Sequence, residues 1–427
     1  SGRGDRAAVP VRPRTGHRRR SRLIHPTSVA HARSDRSSRG SRQRGCIALI
    51  SVVALVTPAC ARETTGDSRM AQPAVTEMRA CAADAPPQWA DVISRSAVDT
   101  GGSTMPRAVG PAGEVVAARD TGTGRDLVLI RPEPSVTNAS DAKVAVLYAL
   151  PDPDMSVFGY AGIDDRWIVF AVEHLPRNAN GVLPTVTRIE VIDRRTGERR
   201  TVAARSVADA AAIPERNVLD AVTLSEGKVY WITHDTYNSP TGVGHMFDPA
   251  TDLRTVVASG PIDDMTSGRS SLWPDAAAAL PDAVTALLSG DRTSVGTDGS
   301  AYGWIRGGAS GGTEIGYWSP LTGVVTVGGV DGMDGDLSSF TGPVLVFDSF
   351  VILDAGGSAT TPGASAVFVD MRSGAVVDLK PRNSGAYDQF VASRGGTLAV
   401  GLTDDNSKQP GYQVGLIRAN QLAPPAC

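Results

Sequence analysis

Val191-Ile-Asp-Arg-Arg-Thr-Gly-Glu-Arg-Arg-Thr-Val202 decides the fold, because its pattern returns at Met246-Phe-Asp-Pro-Ala-Thr-Asp-Leu-Arg-Thr-Val-Val257, Tyr317-Trp-Ser-Pro-Leu-Thr-Gly-Val-Val-Thr-Val-Gly328 and Phe368-Val-Asp-Met-Arg-Ser-Gly-Ala-Val-Val-Asp-Leu379. Each copy has an apolar strand end, Asp or Ser, two variable residues, Thr or Ser, Gly or Asp, and a second β-prone run. Asp193, Asp248, Ser319 and Asp370 are placed to hydrogen-bond the backbone two residues on, and Gly197, Gly323 and Gly374 supply the positive φ of a tight hairpin. Four matching hairpins in one chain imply a repeated β unit.

Working outward, another apolar run follows a turn upstream of each hairpin: Trp167–Val172 after Asp164-Asp165-Arg166, Lys228–Thr233 after Ser225-Glu226-Gly227, Ser300–Ile305 after Thr297-Asp298-Gly299, and Phe350–Leu353 after Phe347-Asp348-Ser349. A further unit follows Ser393-Arg394-Gly395-Gly396 and ends in a strand from Tyr412 to Ile417, and an earlier one runs from Glu114 through Leu150. Turn, strand, loop, strand, hairpin, strand at this repeat length reads as a β-propeller blade. The expected fold is an all-β β-propeller of four-stranded antiparallel blades, six by this count with five or seven as alternatives, occupying residues 81–427. The longest interval between hairpins, 259–296, is expected to insert a short helix over one face. Trp167, Trp231, Trp304 and Trp318 are read as packing between blades.

These turns resemble those of the bacterial six-bladed, TolB-like propeller family and its WD-repeat-like relatives. In that family a Ser-Pro-Asp-Gly turn precedes the second strand of each blade and an Asp-x-x-Thr-Gly turn precedes the fourth. Here the second turn is well kept, and the first survives as Ser225-Glu226-Gly227 and Thr297-Asp298-Gly299. The resemblance spans roughly residues 100 to 420. It implies an architecture and leaves function open, because propellers serve as enzymes, sensors and docking platforms alike.

The 427 residues are 41% apolar, 20% charged and 5% aromatic, with 46 Gly and 28 Pro, a turn-rich folded composition. The net charge of −3 hides an asymmetry: residues 1–44 hold 13 Arg against Asp5 and Asp35, a surplus of +11 that leaves −14 for the rest. This Arg/Ser-rich stretch reads as a disordered leader. No aromatic residue interleaves its arginines, which argues against nucleic-acid binding. Residues 45–60 follow it with the 11-residue apolar run Cys46–Val56 and then Thr57-Pro58-Ala59-Cys60. Crossing a membrane takes about 20 apolar residues, whereas a signal-peptide core takes about 7–15. The order basic, apolar, small, cysteine resembles the bacterial lipoprotein signal, although Thr57 and Pro58 depart from it. The resemblance implies diacylglyceryl modification of Cys60 after cleavage behind Ala59; without lipidation, cleavage nearby would release a secreted protein. Residues 61–80 lack apolar period and read as a flexible tether.

With Cys46 lost in the leader and Cys60 acylated, Cys81 and Cys427 remain, an even pair that in an oxidising compartment is most simply a disulfide. Two free thiols or pairing between molecules are the alternatives. Candidate chemistry is sparse. Aligning the second strands brings Glu173, His174, His234, Asp235, Arg306, Asp354 and Asp404 to equivalent strand ends, which in a propeller gather on one face around the central channel. Such a ring is the candidate ligand face. Strand ends are often polar for solvation alone, and the sequence assigns no catalytic residue, metal or cofactor. The expected function is a membrane-tethered, extracytoplasmic binding or scaffold module for a protein, peptide or glycan of the cell envelope. The alternative is an extracytoplasmic metal-assisted hydrolase or lyase using the polar ring.

Overall fold

A computed structural model of the protein describes residues 74–132, 142–175, 185–205, 216–236, 239–262, 280–288, 294–307, 313–329, 344–354, 366–379, 389–404 and 411–427. The chain divides into two compact units, Ser1–Asp67 and Ser68–Cys427, and every described residue belongs to the second. The Arg/Ser-rich leader, the apolar run 46–56 and Cys60 lie outside the described residues. Among the described residues no helix is long and apolar enough to cross a membrane.

The fold is all-β apart from short helices, built of repeated antiparallel four-strand meanders in a propeller-like arrangement. The first meander is β4 (Ser103–Val109), β5 (Val115–Asp120), β6 (Arg125–Arg131) and β7 (Lys143–Ala149). The second is β8 (Ser156–Ile163), β9 (Trp167–His174), β10 (Thr185–Asp193) and β11 (Arg199–Ala204), and the third is β12 (Arg216–Ser225), β13 (Lys228–Thr236), β14 (Thr241–Asp248) and β15 (Leu253–Pro261). These two share a sheet through the single pair Val186↔Leu219. The fourth is β16 (Ser294–Thr297), β17 (Tyr302–Gly307), β18 (Thr313–Ser319) and β19 (Gly323–Gly328). The fifth is β20 (Val344–Phe347), β21 (Phe350–Asp354), β22 (Ala366–Asp370) and β23 (Ala375–Leu379). The last, β24 (Gln389–Arg394), β25 (Thr397–Asp404) and β26 (Gly411–Arg418), takes its fourth strand from the beginning of the domain: β3 (Ala97–Val98) pairs with β26 through Val98↔Val414 and Ala97↔Gly415.

The repeated turns form for the local reasons their residues dictate. Asp193, Asp248 and Asp370 accept the backbone N–H of Arg195 (2.8 Å), Ala250 (2.8 Å) and Arg372 (3.1 Å), while the Ser319 hydroxyl accepts that of Thr322 (3.2 Å). Gly197, Gly323 and Gly374 sit at φ of 74°, 68° and 76°, and Asp252 takes the same position at 59°. Such φ values disfavour most side chains and suit Gly, Asn and Asp.

Alternating apolar residues on each strand bury both faces of the meanders. Phe158, Ile168, Phe170 and Val172 pack with Val116, Leu127 and Leu129 between the first and second meanders, and Trp167, Val169, Ala171, Val229 and Trp231 pack between the second and third. Inner strands also meet: β4 packs on β8 and on the last meander, β8 on β12, β16 on β20, and β20 on β24. The interval 259–296 carries helix α2 (Asp282–Leu288). Its Val284 and Leu287 pack on Trp304, Val324 and Trp318, covering the face of the fourth meander opposite the fifth. Among the described residues Trp304 and Trp318 pack against this helix, whereas Trp167 and Trp231 pack between sheets.

The stretch before β3 differs from the expected tether. β1 (Val75–Arg79) lies inside 61–80 yet adds a fifth, parallel strand to β19, and β2 (Cys81–Ala82) does the same on β23. Helix α1 (Gln88–Arg95) follows, with Trp89 and Ile93 one turn apart on its buried side, Asp91 in the first turn and Arg95 in the last. The N-terminal segment thus runs as a strap across three successive meanders. Cys81 is joined by a disulfide to Cys427, with a Cα–Cα distance of 5.9 Å, tying the strap to the chain's last residue.

Candidate functional site

Bulges on the inner strands build the candidate site. Register shifts fall between Pro106 and Ala108 on β4, Phe158 and Ala161 on β8, Asp220 and Thr223 on β12, and Phe390 and Ala392 on β24. A bulge inserts an unpaired residue and re-aims its side chain. On β4 that residue is Arg107, placed beside a proline that cannot complete the ladder. On β12 the unpaired residues are Ala221 and Val222, directly after Asp220, which still pairs with Ile232; Ala221 sits at φ 48°, a left-handed backbone that an alanine adopts at a cost of about 1–2 kcal/mol. Ala221 N–H donates to its neighbour's Asp220 Oδ1 at 2.7 Å, which fixes the carboxylate.

Glu173 lies between these two inner strands, on β9, half-buried and facing Gly159 of β8 so closely that a Cβ there would overlap its Oε1. Burial raises its carboxyl above the usual range; the Arg107 cation opposes that shift and the Asp220 anion adds to it. Arg107 in turn is held below the usual arginine range by desolvation, with Glu173 opposing. Its side chain is nevertheless solvent-exposed. Asp220 also reaches His234 on β13, Oδ2 to Nε2 at 3.5 Å, with the imidazole side chain 2% exposed and the carboxylate 56% exposed. His234 Nδ1–H donates to Thr236 O at 2.6 Å, since the carbonyl can only accept. Three neighbouring meanders thereby contribute Arg107, Glu173, and Asp220 with His234.

The aligned strand-end residues stand at or near the ends of β9, β13, β17, β21 and β25, and the described side chains among them do not all face one way. Successive strand residues point to opposite faces, so Glu173 and buried His174 diverge, as do buried His234 and exposed Asp235. Arg306 is committed elsewhere: its Nε donates to Glu314 Oε1 at 2.7 Å and its Nη1 to Leu287 O at 2.9 Å, which fastens β17 to β18 and to helix α2. Asp354 and Asp404 end their strands, and their side chains lie outside the described residues. Arg107 and Asp220 escaped the sequence alignment because it followed second strands. Pro106 within Met-Pro-Arg-Ala-Val and Asp220 within Val-Leu-Asp-Ala-Val were the available signals of broken alternation. Among the described residues no three His, Cys, Asp or Glu side chains converge as a metal cluster would require.

The opposite ends of the inner strands are closed by tight turns that interlock. Arg194 pairs with Glu114 and Arg166 with Asp193, Nη2 to Oδ2 at 3.1 Å. Arg394 Nη1 donates to Ile163 O at 3.4 Å, linking the last meander to the second. These contacts tie neighbouring meanders at their tight turns, whereas the strand ends bearing Glu173 and His234 lead into the longer connections.

No protein-family model matches the chain, and no curated protein does. Three solved structures resemble it at the level of fold. An oligogalacturonate lyase in complex with manganese is 12% identical, covers 72% of this chain and 75% of its own, and superposes with a TM-score of 0.31. A protein of unknown function from Dyadobacter fermentans DSM 18053 is 14% identical over 74% of this chain and 94% of its own, with a TM-score of 0.33. The subtype N11 neuraminidase-like protein of A/flat-faced bat/Peru/033/2010 (H18N11) is 8% identical over 82% of this chain and 98% of its own, with a TM-score of 0.30.

Proposed function

We propose that the protein is an extracytoplasmic six-bladed β-propeller, closed by β3 in the last blade and anchored to the membrane through a lipid on Cys60. It acts as a binding module for an envelope protein, peptide or glycan that enters the lumen from the end bearing Glu173 and His234. One observation carries the binding role: Arg107, Glu173, Asp220 and His234 come from three neighbouring meanders and couple electrostatically around the inner strands. A bulge delivers Arg107, and Asp220 stands directly before another. A purely structural lumen would gain nothing from half-buried charges, which cost stability unless a ligand or function repays them.

Capture from an envelope extract tests this role. The wild-type protein should retain a partner that the Glu173→Gln/Asp220→Asn double variant loses while melting no lower than wild type; equal retention by both would place binding elsewhere. Mass spectrometry of the membrane fraction tests the anchor, and an unmodified product beginning away from Cys60 would exclude it. The alternative metal-assisted hydrolase or lyase has Asp220 and His234 as its nearest ligand pair and lacks a third described ligand beside them, so binding is the better-supported role.

A further inference from the structure

We propose that the Asp220–His234 pair receives a primary ammonium group, supplied by a lysine side chain of a bound peptide. The inference rests on the lumen binding role proposed above and narrows its ligand class. His234 Nδ1–H is spent on Thr236 O, so in the neutral ring Nε2 carries the lone pair. That Nε2 is buried and has no hydrogen-bond partner among the described residues. Asp220 Oδ2, 3.5 Å away, is another acceptor. Asp220 Oδ1 already accepts the Ala221 N–H, so the strained backbone holds the carboxylate's other oxygen toward the imidazole.

Two acceptors facing one point, with no donor between them, call for a group that donates at least two hydrogens. An ammonium donates three and adds a charge that both carboxylates of the site favour. A guanidinium presents a flat fork suited to paired oxygens in one plane, whereas a compact ammonium fits between a ring nitrogen and a single carboxylate oxygen. Glu173 extends the acceptor field on the inner side. Arg107 stands on the neighbouring first meander, where Glu173 answers its charge. A divalent cation would use the same two atoms, but no third described His, Cys, Asp or Glu joins them. An ammonium is satisfied by acceptors of any kind. The charge of −14 beyond Arg44 also draws cationic ligands toward the domain.

Titration calorimetry of the full-length protein with trilysine and with its fully Nε-acetylated, amine-blocked counterpart, at physiological salt, tests the proposal. Trilysine should bind and the blocked peptide should not. Asp220→Asn should weaken trilysine by at least about tenfold, the scale of a lost charge-assisted hydrogen bond. His234→Gln, which can present an amide donor at the Nε2 position, should weaken it similarly. Asp165→Asn removes an equal charge from the exposed turn between β8 and β9, away from the pair, and should leave affinity unchanged. Both peptides binding alike, or Asp165→Asn costing as much as Asp220→Asn, would overturn the proposal. So would absent trilysine binding alongside saturable Mn2+ or Zn2+ binding that needs His234. Envelope capture that still depends on Glu173 and Asp220 without any affinity for trilysine would reject the ammonium assignment alone; loss of both would reject the binding role as well.

Discussion

Replacing Cys81 and Cys427 by serine removes the covalent tie between the N-terminal strap and the end of the chain. The bridge spans a sequence separation of 346 residues. In the chain-entropy treatment, closing a loop of that length lowers the unfolded state's entropy enough to stabilise the fold by about 6 kcal/mol, and native disulfides measured elsewhere contribute about 2–5. The folded contacts around the bridge survive its loss: Leu422 is buried, and Trp89 Nε1–H donates to Ala423 O at 2.9 Å. The effect should therefore act on the unfolded chain. Urea unfolding followed by tryptophan fluorescence should show the double variant, or wild type in dithiothreitol, destabilised by about 3–6 kcal/mol. The dependence on urea should steepen, because the released chain exposes more surface on unfolding. An unchanged midpoint and slope would refute the reasoning, since the bridge would then place no restriction on the unfolded chain.

Three further outcomes follow from individual side chains. Trp89→Ala should cost about 3–5 kcal/mol by denaturant titration, because Trp89 is 1% exposed and packs against Phe350 and Phe368 at centroid distances of 5.7 and 5.2 Å. Glu173→Gln should raise the melting temperature at neutral pH and match wild type in acid: burial lifts the folded carboxyl's pKa, so wild-type stability falls as pH rises from the unfolded value toward the folded one. His245, stacked on Trp231 with ring centroids 5.1 Å apart, is pushed down by burial. The fold thus prefers the neutral ring and loses stability as pH drops below about 6.5, a loss that His245→Gln should reduce in melting curves.

The parts of this fold legible in sequence are those whose cause is local. An Asx side chain bonding two residues ahead, with Gly at positive φ, marks the same hairpin wherever it occurs, and Asp193, Asp248 and Asp370 each do this. The parallel addition of Val75–Arg79 to β19 is a tertiary contact, invisible in a polar, aperiodic stretch. The candidate site was half legible. Glu173 and His234 stood out by strand alignment, but adjacent residues such as Glu173 and His174 face opposite ways, and Arg306 is claimed by Glu314, eight residues on in the sequence. Arg107 enters through a register shift and Asp220 stands beside one; such shifts arise from how inner strands pair and leave only Pro106 and an interrupted apolar run as traces.

Spin-label distances test the closed ring most directly. Arg195, Ala250 and Leu321 are exposed at equivalent positions of successive hairpin turns, in the second, third and fourth meanders. With Cys46 and Cys60 replaced by serine, labels at Arg195 and Ala250 report one neighbouring pair, and labels at Ala250 and Leu321 report the junction beside helix α2. A ring predicts a single narrow distribution at each junction, the second longer than the first by no more than one helix diameter, about 10 Å. A broad distribution at the second junction, or a separation exceeding the first by much more than that, would contradict closure and the enclosed lumen that the binding site depends on.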